Sequence, residues 1–189
     1  MAEFKISYDK AMVNEGSWNI DRNDLGGETM NGIARNFFPD WNGWQYIDVV
    51  KKDGVPDFSV MSAEKKLALE IEVQNFYRNE FWKRIQGDRI PYQDVADELF
   101  DSAVNTGVGT AVEFLQNALN VLNRNGKLYA DIDVDGRMGG NTLNALKYYE
   151  NRAGEQKELL KFMNIFQGYY YATESKETFM RGLSKRVSI

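Results

Sequence analysis

The strongest constraint on the fold is the spacing of apolar residues between positions 111 and 122. Apolar side chains recur there at the i, i+3, i+4 and i+7 spacing of one α-helix face, namely Ala111, Phe114, Leu115, Ala118, Leu119 and Leu122. Only three prolines occur in 189 residues, so few positions interrupt such helices. Residues 95–103 and 155–171 are also predicted to be helical, whereas strand signals are confined to short pieces. The predicted fold class is therefore mainly α.

Turn-forming and capping residues divide the rest of the chain. Further helices are predicted at residues 4–15, 29–37, 41–52, 62–82 and 141–151. Residues 19–31 are polar and carry glycines, which predicts a loop or short hairpin, and residues 124–138 predict another. Ser62 is typical of a helix N-cap, and Gly107 and Gly109 are expected to break the chain between two helices.

Composition narrows the chemistry. The chain has neither cysteine nor histidine, which excludes thiol nucleophiles, Ser-His-Asp triads and imidazole metal sites. Acid–base chemistry must then rest on Asp, Glu, Lys or Tyr, and a carboxyl pair is the commonest means of breaking an acetal. A net charge of −5 gives no basic footprint for nucleic acid, apart from a local group at Arg181, Lys185 and Arg186. No apolar run approaches the roughly 18 residues that span a bilayer.

Glu15 is the leading candidate for a catalytic acid. It ends an apolar stripe of Phe4, Tyr8 and Met12 at helical spacing, just before Gly16, where a helix C-cap is expected. A carboxyl group on such a face is partly desolvated, which disfavours its charged form. A glycosidase needs a glutamate that stays protonated in this way. The alternative is a helix-end glutamate that bends out to solvent.

Asp24 and Thr29 are the next candidates. Asp24 lies in the loop beside Gly26 and Gly27, where a carboxylate can stay solvated and ionised. It would suit the second carboxylate of a glycosidase, which activates water or stabilises positive charge on the sugar, although an Asx-turn is the alternative. The hydroxyl of Thr29 could hold the attacking water, or cap a helix, or do both.

These residues form a recognisable pattern. Glu15-Gly16-Ser17-Trp18 is followed by Asp24-Leu25-Gly26-Gly27-Glu28-Thr29 and then by Asn31-Gly32-Ile33. The pattern resembles the opening of glycoside hydrolase family 108, which comprises phage-type and bacterial N-acetylmuramidases often described as secretion activators. The catalytic glutamate of that family falls on Glu15. The order of Glu15, Asp24 and Thr29 is also similar to the catalytic triad of phage lysozymes.

Similarity to the family extends along nearly the whole chain. Residues 99–107 are similar to its L-F-D-x-A-V-N-x-G stretch, and residues 135–143 resemble the D-G-x-x-G-x-x-T-L signature of its peptidoglycan-binding-like C-terminal part. Ser17-Trp18 replaces a usual Gly-Tyr, and Gly140 stands where proline is common. Residues 41–62 form a longer segment than expected, which leaves room for a different cleft wall or substrate choice.

The resemblance implies a lysozyme-like helical fold with a small loop or hairpin at the active cleft. Residues 1–105 would form the muramidase catalytic part, and residues 106–189 a helical peptidoglycan-binding-like part packed with the first as one globule. The implied reaction is hydrolysis of the β-1,4 bond between N-acetylmuramic acid and N-acetylglucosamine, with no cofactor. Glu15 would protonate the leaving oxygen, while Asp24 and Thr29 would direct the attacking water.

Four residues are candidate contacts to the sugar chain, namely Trp18, Gly27, Trp82 and Asn105. For Trp82, packing in the core is at least an equal alternative. Asn105 stands one helical turn after Asp101, so it could line the cleft or merely cap its helix.

An aspartate-rich segment invites a calcium interpretation. Asp131, Asp133 and Asp135, followed by Gly136, open like the loop of an EF-hand. The twelfth position is Thr142, however, where a bidentate glutamate is required. The sequence therefore predicts no metal site.

Two other functions stay open. A lytic transglycosylase needs only the acid and makes a 1,6-anhydro sugar, and the presence of Asp24 argues against it. A non-catalytic cell-wall-binding accessory of secretion has no use for a half-buried acid such as Glu15. Residues 1–12 are charged and lack the apolar run of a signal peptide. We therefore expect synthesis in the bacterial cytoplasm and release to the peptidoglycan through a holin or a secretion apparatus.

Overall fold

The structure, a computed structural model, describes residues 1–12, 17–20 and 25–174. Within this part of the chain the fold is mainly helical, as predicted. The α-helices described there are α1 (Phe4–Met12), α2 (Trp44–Asp48), α3 (Ala63–Tyr77), α4 (Gln93–Thr106), α5 (Val108–Leu122), α6 (Gly140–Tyr148) and α7 (Ala153–Glu174). The strands are β1 (Trp18–Ile20), β2 (Glu28–Met30), β3 (Ile33–Ala34), β4 (Lys51–Lys52) and β5 (Val55–Pro56). Over the same ranges, no helix has both the length and the apolar character needed to cross a membrane.

The chain divides into two compact units. One comprises residues 11–80, and the other comprises residues 1–10 with the described part of residues 81–189. Helices α4 and α5 lie on either side of the predicted boundary between residues 105 and 106. They pack on each other, and both pack on α7 within the larger unit. The hydrophobic core therefore continues across that boundary.

The larger unit is built around these helices. The apolar stripe of α5 is buried as its periodicity predicts, and α4 buries Val95, Leu99 and Phe100. Phe4, Trp82 and Phe100 meet edge to face, with ring centroids 5.8, 5.9 and 6.0 Å apart. Each fully buried side chain of this size contributes about 2 kcal/mol of hydrophobic stabilisation.

The smaller unit combines short strands with two helices. Strands β1, β2 and β3 form one antiparallel sheet, which confirms the predicted hairpin, and β4 pairs with β5 in a second sheet. The hydroxyl of Ser62 accepts a hydrogen bond from the Lys65 N–H at 3.3 Å, so Ser62 caps α3 as predicted. At the other end, the π-helical turn Arg78–Trp82 continues α3.

Three local predictions are wrong. Residues 29–37 contain β2 and β3 rather than a helix, because Asn31 and Gly32 adopt φ values of 45° and 78° and reverse the chain between the two strands. Residues 41–52 contain only the five-residue helix α2 before β4 begins. Gly109 lies inside α5, so the break between α4 and α5 rests on Gly107, whose φ is 88°.

Candidate active site

The antiparallel sheet β1-β2-β3 organises the candidate site. Its register pairs Trp18 with Met30, Asn19 with Thr29, and Ile20 with Glu28. Side chains alternate between the faces of a strand, so Trp18 and Glu28 lie on one face while Thr29 lies on the other. The sheet thus brings Trp18 and Thr29 into neighbouring strands but directs their side chains to opposite sides.

Glu15 and Asp24 both lie outside the described residues. Along the chain, Glu15 precedes the start of β1, and Asp24 stands in the connection from β1 to β2. The segments that carry the two carboxyl groups therefore leave opposite ends of one short strand. The described sheet is the frame to which both segments are attached.

Thr29 occupies the middle of β2. Its backbone pairs with Asn19 on one side and with Ala34 on the other, so the helix N-cap alternative is wrong. Its half-buried side chain donates a hydrogen bond from Oγ1 to the carbonyl oxygen of Gly27 at 3.4 Å. That long contact leaves the hydroxyl oxygen able to accept from other groups. The role of Thr29 in holding the attacking water stays a prediction.

Gly27 has a conformational role that the structure makes clear. Its φ is 68°, in the left-handed region, and a Cβ at this position would lie 2.9 Å from Nδ2 of Asn36. Asn36 uses that amide to bond the carbonyl oxygen of Leu25 at 2.9 Å, which closes the turn that leads into β2. A contact between Gly27 and the sugar stays a prediction.

Glu28 is a site residue that the sequence patterns missed. It is only 9% exposed, and its carboxylate accepts a hydrogen bond from the Trp18 indole N–H at 2.9 Å. Its other oxygen lies 2.9 Å from Nε of Arg35 and 2.8 Å from Nζ of Lys51. The alternation of side chains along β2 could have placed Glu28 on the same face as Trp18. Its ion pairs could not be predicted in this way, because Arg35 and Lys51 belong to other segments of the chain.

A second carboxylate completes this charge cluster. Asp48 lies 2.7 Å from Nη2 of Arg35 and 2.8 Å from Nζ of Lys51. Burial opposes the charge, but the hydrogen bonds from Arg35 and Lys51 outweigh it and lower the pKa of Asp48. The guanidinium carbon of Arg35 also lies 4.3 Å from the ring centroid of Trp44. The cluster ties β2, β3, β4 and α2 together and fixes the sheet beside the motif.

Trp82 has no exposed surface. It packs against Phe4 and Phe100, and its indole N–H donates to Asp88 at 2.8 Å. An added Cβ on Gly87 would meet the Trp82 ring at 2.3 Å, so this glycine lets the ring pack closely. The structure supports the packing alternative for Trp82, because a fully buried ring has no free face for a sugar.

Asn105 is half-buried near the end of α4. Its amide donates to the Asp101 carbonyl oxygen at 2.7 Å and to the Asp101 carboxylate at 3.2 Å. One turn earlier stands Glu98, which the sequence patterns also missed. Burial, and then the nearby charge of Asp101, raise the pKa of Glu98 to about 7, although hydrogen bonds from Ser102 and Asn164 oppose the shift. The helix-face pairing predicted for Asp101 and Asn105 is confirmed, while a sugar contact of Asn105 stays a prediction.

The aspartate-rich segment is held by amide side chains of α5. Buried Gln116 donates to Oδ1 of Asp135 at 2.9 Å and to Oγ1 of Thr142 at 3.2 Å, and it accepts from the Gly136 N–H at 3.0 Å. Asn123 in turn donates to the carboxylate of Asp131. Among the described residues, no group of three acidic side chains is arranged to hold a metal ion. The residues of the C-terminal signature thus form a loop that hydrogen bonds from Gln116 hold against α5.

Comparisons with known proteins agree with this organisation. The glycosyl hydrolase 108 family matches residues 8–107, and a predicted peptidoglycan domain matches residues 110–188. The solved structure of Brucella abortus SagA is similar, with a TM-score of 0.63 at 23% identity over 97% of this chain and 88% of that chain. At this identity the likeness establishes the fold. No curated protein matches the sequence. The chain therefore belongs to the glycosyl hydrolase 108 family, with a lysozyme-like, mainly helical fold, and is a peptidoglycan hydrolase.

Proposed function

We propose that the protein hydrolyses the β-1,4 bond between N-acetylmuramic acid and N-acetylglucosamine, with Glu15 as general acid. The observation that carries this proposal is the position of Glu15-Gly16-Ser17-Trp18 inside the family match, where Trp18 begins β1 and donates its indole N–H to the buried Glu28. Asp24 activates a water on the opposite face of the sugar, and Thr29 helps to orient that water. Release to the wall through a holin or a secretion apparatus stays a prediction.

The proposed mechanism inverts the configuration at the anomeric carbon, because Asp24 acts through a water and not as a nucleophile. Inverting glycosidases keep their carboxyl groups roughly 6.5–9.5 Å apart to admit a water, whereas retaining enzymes use about 5–5.5 Å. Glu15 and Asp24 lie outside the described residues, so the wider separation stays a prediction. NMR during early turnover tests the inversion, because an initial β-anomer would show retention.

Mass spectrometry of digested peptidoglycan tests the proposed reaction. Hydrolysis yields reducing N-acetylmuramic acid ends, whereas a lytic transglycosylase yields 1,6-anhydro ends. We expect reducing ends from the full chain. Anhydro products would replace the hydrolase assignment by a transglycosylase. The absence of any cleavage would leave a wall-binding accessory protein.

We also propose that residues 1–105 and 106–189 fold as one cooperative globule. Helix α4 from the first part packs on α5 and α7 from the second, and the buried amide of Gln167 donates to the Ser102 hydroxyl at 2.9 Å. A fragment that starts near Gly109 would expose the apolar faces that α4 covers. We expect that fragment to be unfolded by circular dichroism and the full chain to unfold in a single transition. Two separate transitions would contradict the proposal.

A further inference from the structure

A pocket of about 410 Å³ lies within the smaller unit, where its lining includes the residues that follow β3. One wall of the pocket is formed by residues 37–42. The other wall is formed by the C-terminal turns of α3 and the first residues of the π-helical turn that follows. Its lining combines aromatic rings, carboxylates and amides. This segment precedes and overlaps the stretch that is longer than expected for the family, so the pocket is a feature in which this chain can differ from its relatives.

The aromatic wall of the pocket is held firmly in place. Phe38 and Phe76 meet edge to face, with centroids 4.6 Å apart. The Trp41 indole N–H donates to the carbonyl oxygen of Glu72 at 3.3 Å. A Cβ on Gly43 would lie only 2.2 Å from the Trp41 ring, so this ring rests directly on the glycine backbone. A ring fixed on these sides loses little freedom when it receives a ligand.

The charge of the pocket has one sign. Asp40 and Glu72 contribute carboxylates to it, while none of the described residues that line it is a lysine or an arginine. The amides of Asn42 and Asn75 supply neutral donors and acceptors beside them. Carboxylates next to aromatic rings favour an ammonium group, through ion pairing and cation–π attraction together.

We propose that this pocket binds the peptide stem of peptidoglycan by the free side-chain amine of its diamino acid. This inference rests on the proposed function, because it assumes that the wall polymer is the substrate. The N-acetylated sugars of the peptide-bearing glycan are uncharged, so they form no ion pair with Asp40 or Glu72. A stem amine is the cationic group of the polymer, and the pocket amides can bond the peptide groups on either side of it. The stem would then position the glycan strand for cleavage.

Calorimetric titration of the full chain with a stem tripeptide tests the proposal. The probe is a peptide with a free side-chain amine, and its comparison is the same peptide acetylated on that amine. We expect measurable binding of the first and at least a tenfold loss on acetylation. Glu72→Gln should weaken binding of the amine peptide by about threefold to tenfold, since it removes one partly exposed charge. Glu70→Gln, on the exposed part of the same helix and outside the pocket, should leave binding unchanged.

Equal binding of the free and acetylated peptides would overturn the inference. So would binding of an N-acetylglucosamine oligomer that Trp41→Phe weakens but Glu72→Gln leaves unchanged, because that result would make the pocket a sugar subsite.

An activity measurement separates this inference from the proposed function. On stem-bearing peptidoglycan, Glu72→Gln should raise KM by about threefold to tenfold with little change in kcat, since it removes a remote binding contact. On glycan strands stripped of their peptides, the same variant should match the wild type. Cleavage of both substrates with no effect of the variant would reject the stem pocket and keep the hydrolase. Peptide binding without cleavage of either substrate would keep the pocket and reject the hydrolase.

Discussion

The two units of the chain each enclose a glutamate and accommodate its charge differently. In the smaller unit, Glu28 lies against Arg35, Lys51 and the Trp18 indole N–H. In the larger unit, Glu98 faces the Ser102 hydroxyl and the Asn164 amide, and burial raises its pKa to about 7. Because two cations contact it, the buried Glu28 carboxylate can stay charged and link neighbouring segments by ion pairs. Neutral partners leave the desolvation of the carboxylate largely uncompensated, so protonation becomes the easier outcome.

This difference has a consequence for the candidate site. The sheet beside Glu15 and Asp24 is held by charges drawn from β2, β3, β4 and α2. Such a frame depends most on Glu28, because Glu28 is its most buried charge and contacts both cations. For the α4–α7 contact around Glu98 we expect instead a dependence on pH, because burial raises the pKa of Glu98 to about 7.

Removal of the Glu28 carboxylate should have the largest effect on stability. Glu28→Ala removes the buried carboxylate shared by Arg35 and Lys51 and leaves them only the more exposed Asp48, and we expect a loss of about 3 kcal/mol in the free energy of unfolding. Urea denaturation measures it. Glu28→Gln keeps the hydrogen bond from Trp18 but not the charge, and it should lose less. A loss below that of an ordinary surface substitution would mean that the cluster is not a structural tie.

The carboxyl group of Glu98 should make the free energy of unfolding depend on pH. The pKa of Glu98 in the folded state, about 7, lies above the ordinary glutamate value of 4.5, so the folded state binds more protons between these pH values and the free energy of unfolding falls as pH rises through this window. Between pH 4 and pH 8, wild type should lose about 2 kcal/mol more than Glu98→Gln, after allowance for partial exposure. Unfolding at several pH values measures the difference. Glu113→Gln, an exposed glutamate on α5, is the control and should follow wild type.

Gly27→Ala should have the smallest of the three effects. Gly27 and Gly54 both have positive φ, at 68° and 83°, but only Gly27 has a neighbour in the way of a Cβ. Both alanine variants should lose about 1 kcal/mol from the backbone conformation. Gly27→Ala should lose somewhat more, because Asn36 must move and the turn bond to Leu25 weakens. Equal losses in the two variants would show that the Asn36 contact carries no cost.

The sequence predicted the features that are local. The stripe of α5 and the Ser62 cap follow from residues three or four positions apart, and both are confirmed. The strands β2 and β3 escaped prediction because two or three residues show no period, and each is defined by its pairing, β2 with Trp18–Ile20 and β3 with β2. The predicted break at Gly109 is wrong, because this glycine lies inside α5 beside a loop that is distant in sequence. A Cβ on Gly136 would lie 3.0 Å from the Gly109 carbonyl oxygen, so the loop approaches α5 closely at this point.

The candidate site divides in the same way. Motif order indicated the family, which the family match confirms, and the catalytic roles that it predicts for Glu15, Asp24 and Thr29 stay predictions. It could not single out Glu28, whose importance comes from Arg35 and Lys51 on other elements. Nor could it decide between a sugar contact and the core for Trp82, because only the packing of Phe4 and Phe100 around the ring settles that question.

The turnover of peptidoglycan by Glu15→Gln tests the central claim most directly. The substitution keeps size and hydrogen bonding but removes the proton that a general acid must deliver, and such catalysis contributes about 10²–10⁴-fold. We predict a loss of at least 10²-fold in the release of reducing ends, with an unfolding transition that matches wild type. Glu70→Gln should retain full activity in the same assay. A folded Glu15→Gln protein that releases reducing ends at close to the wild-type rate would contradict the assignment of Glu15 as the acid.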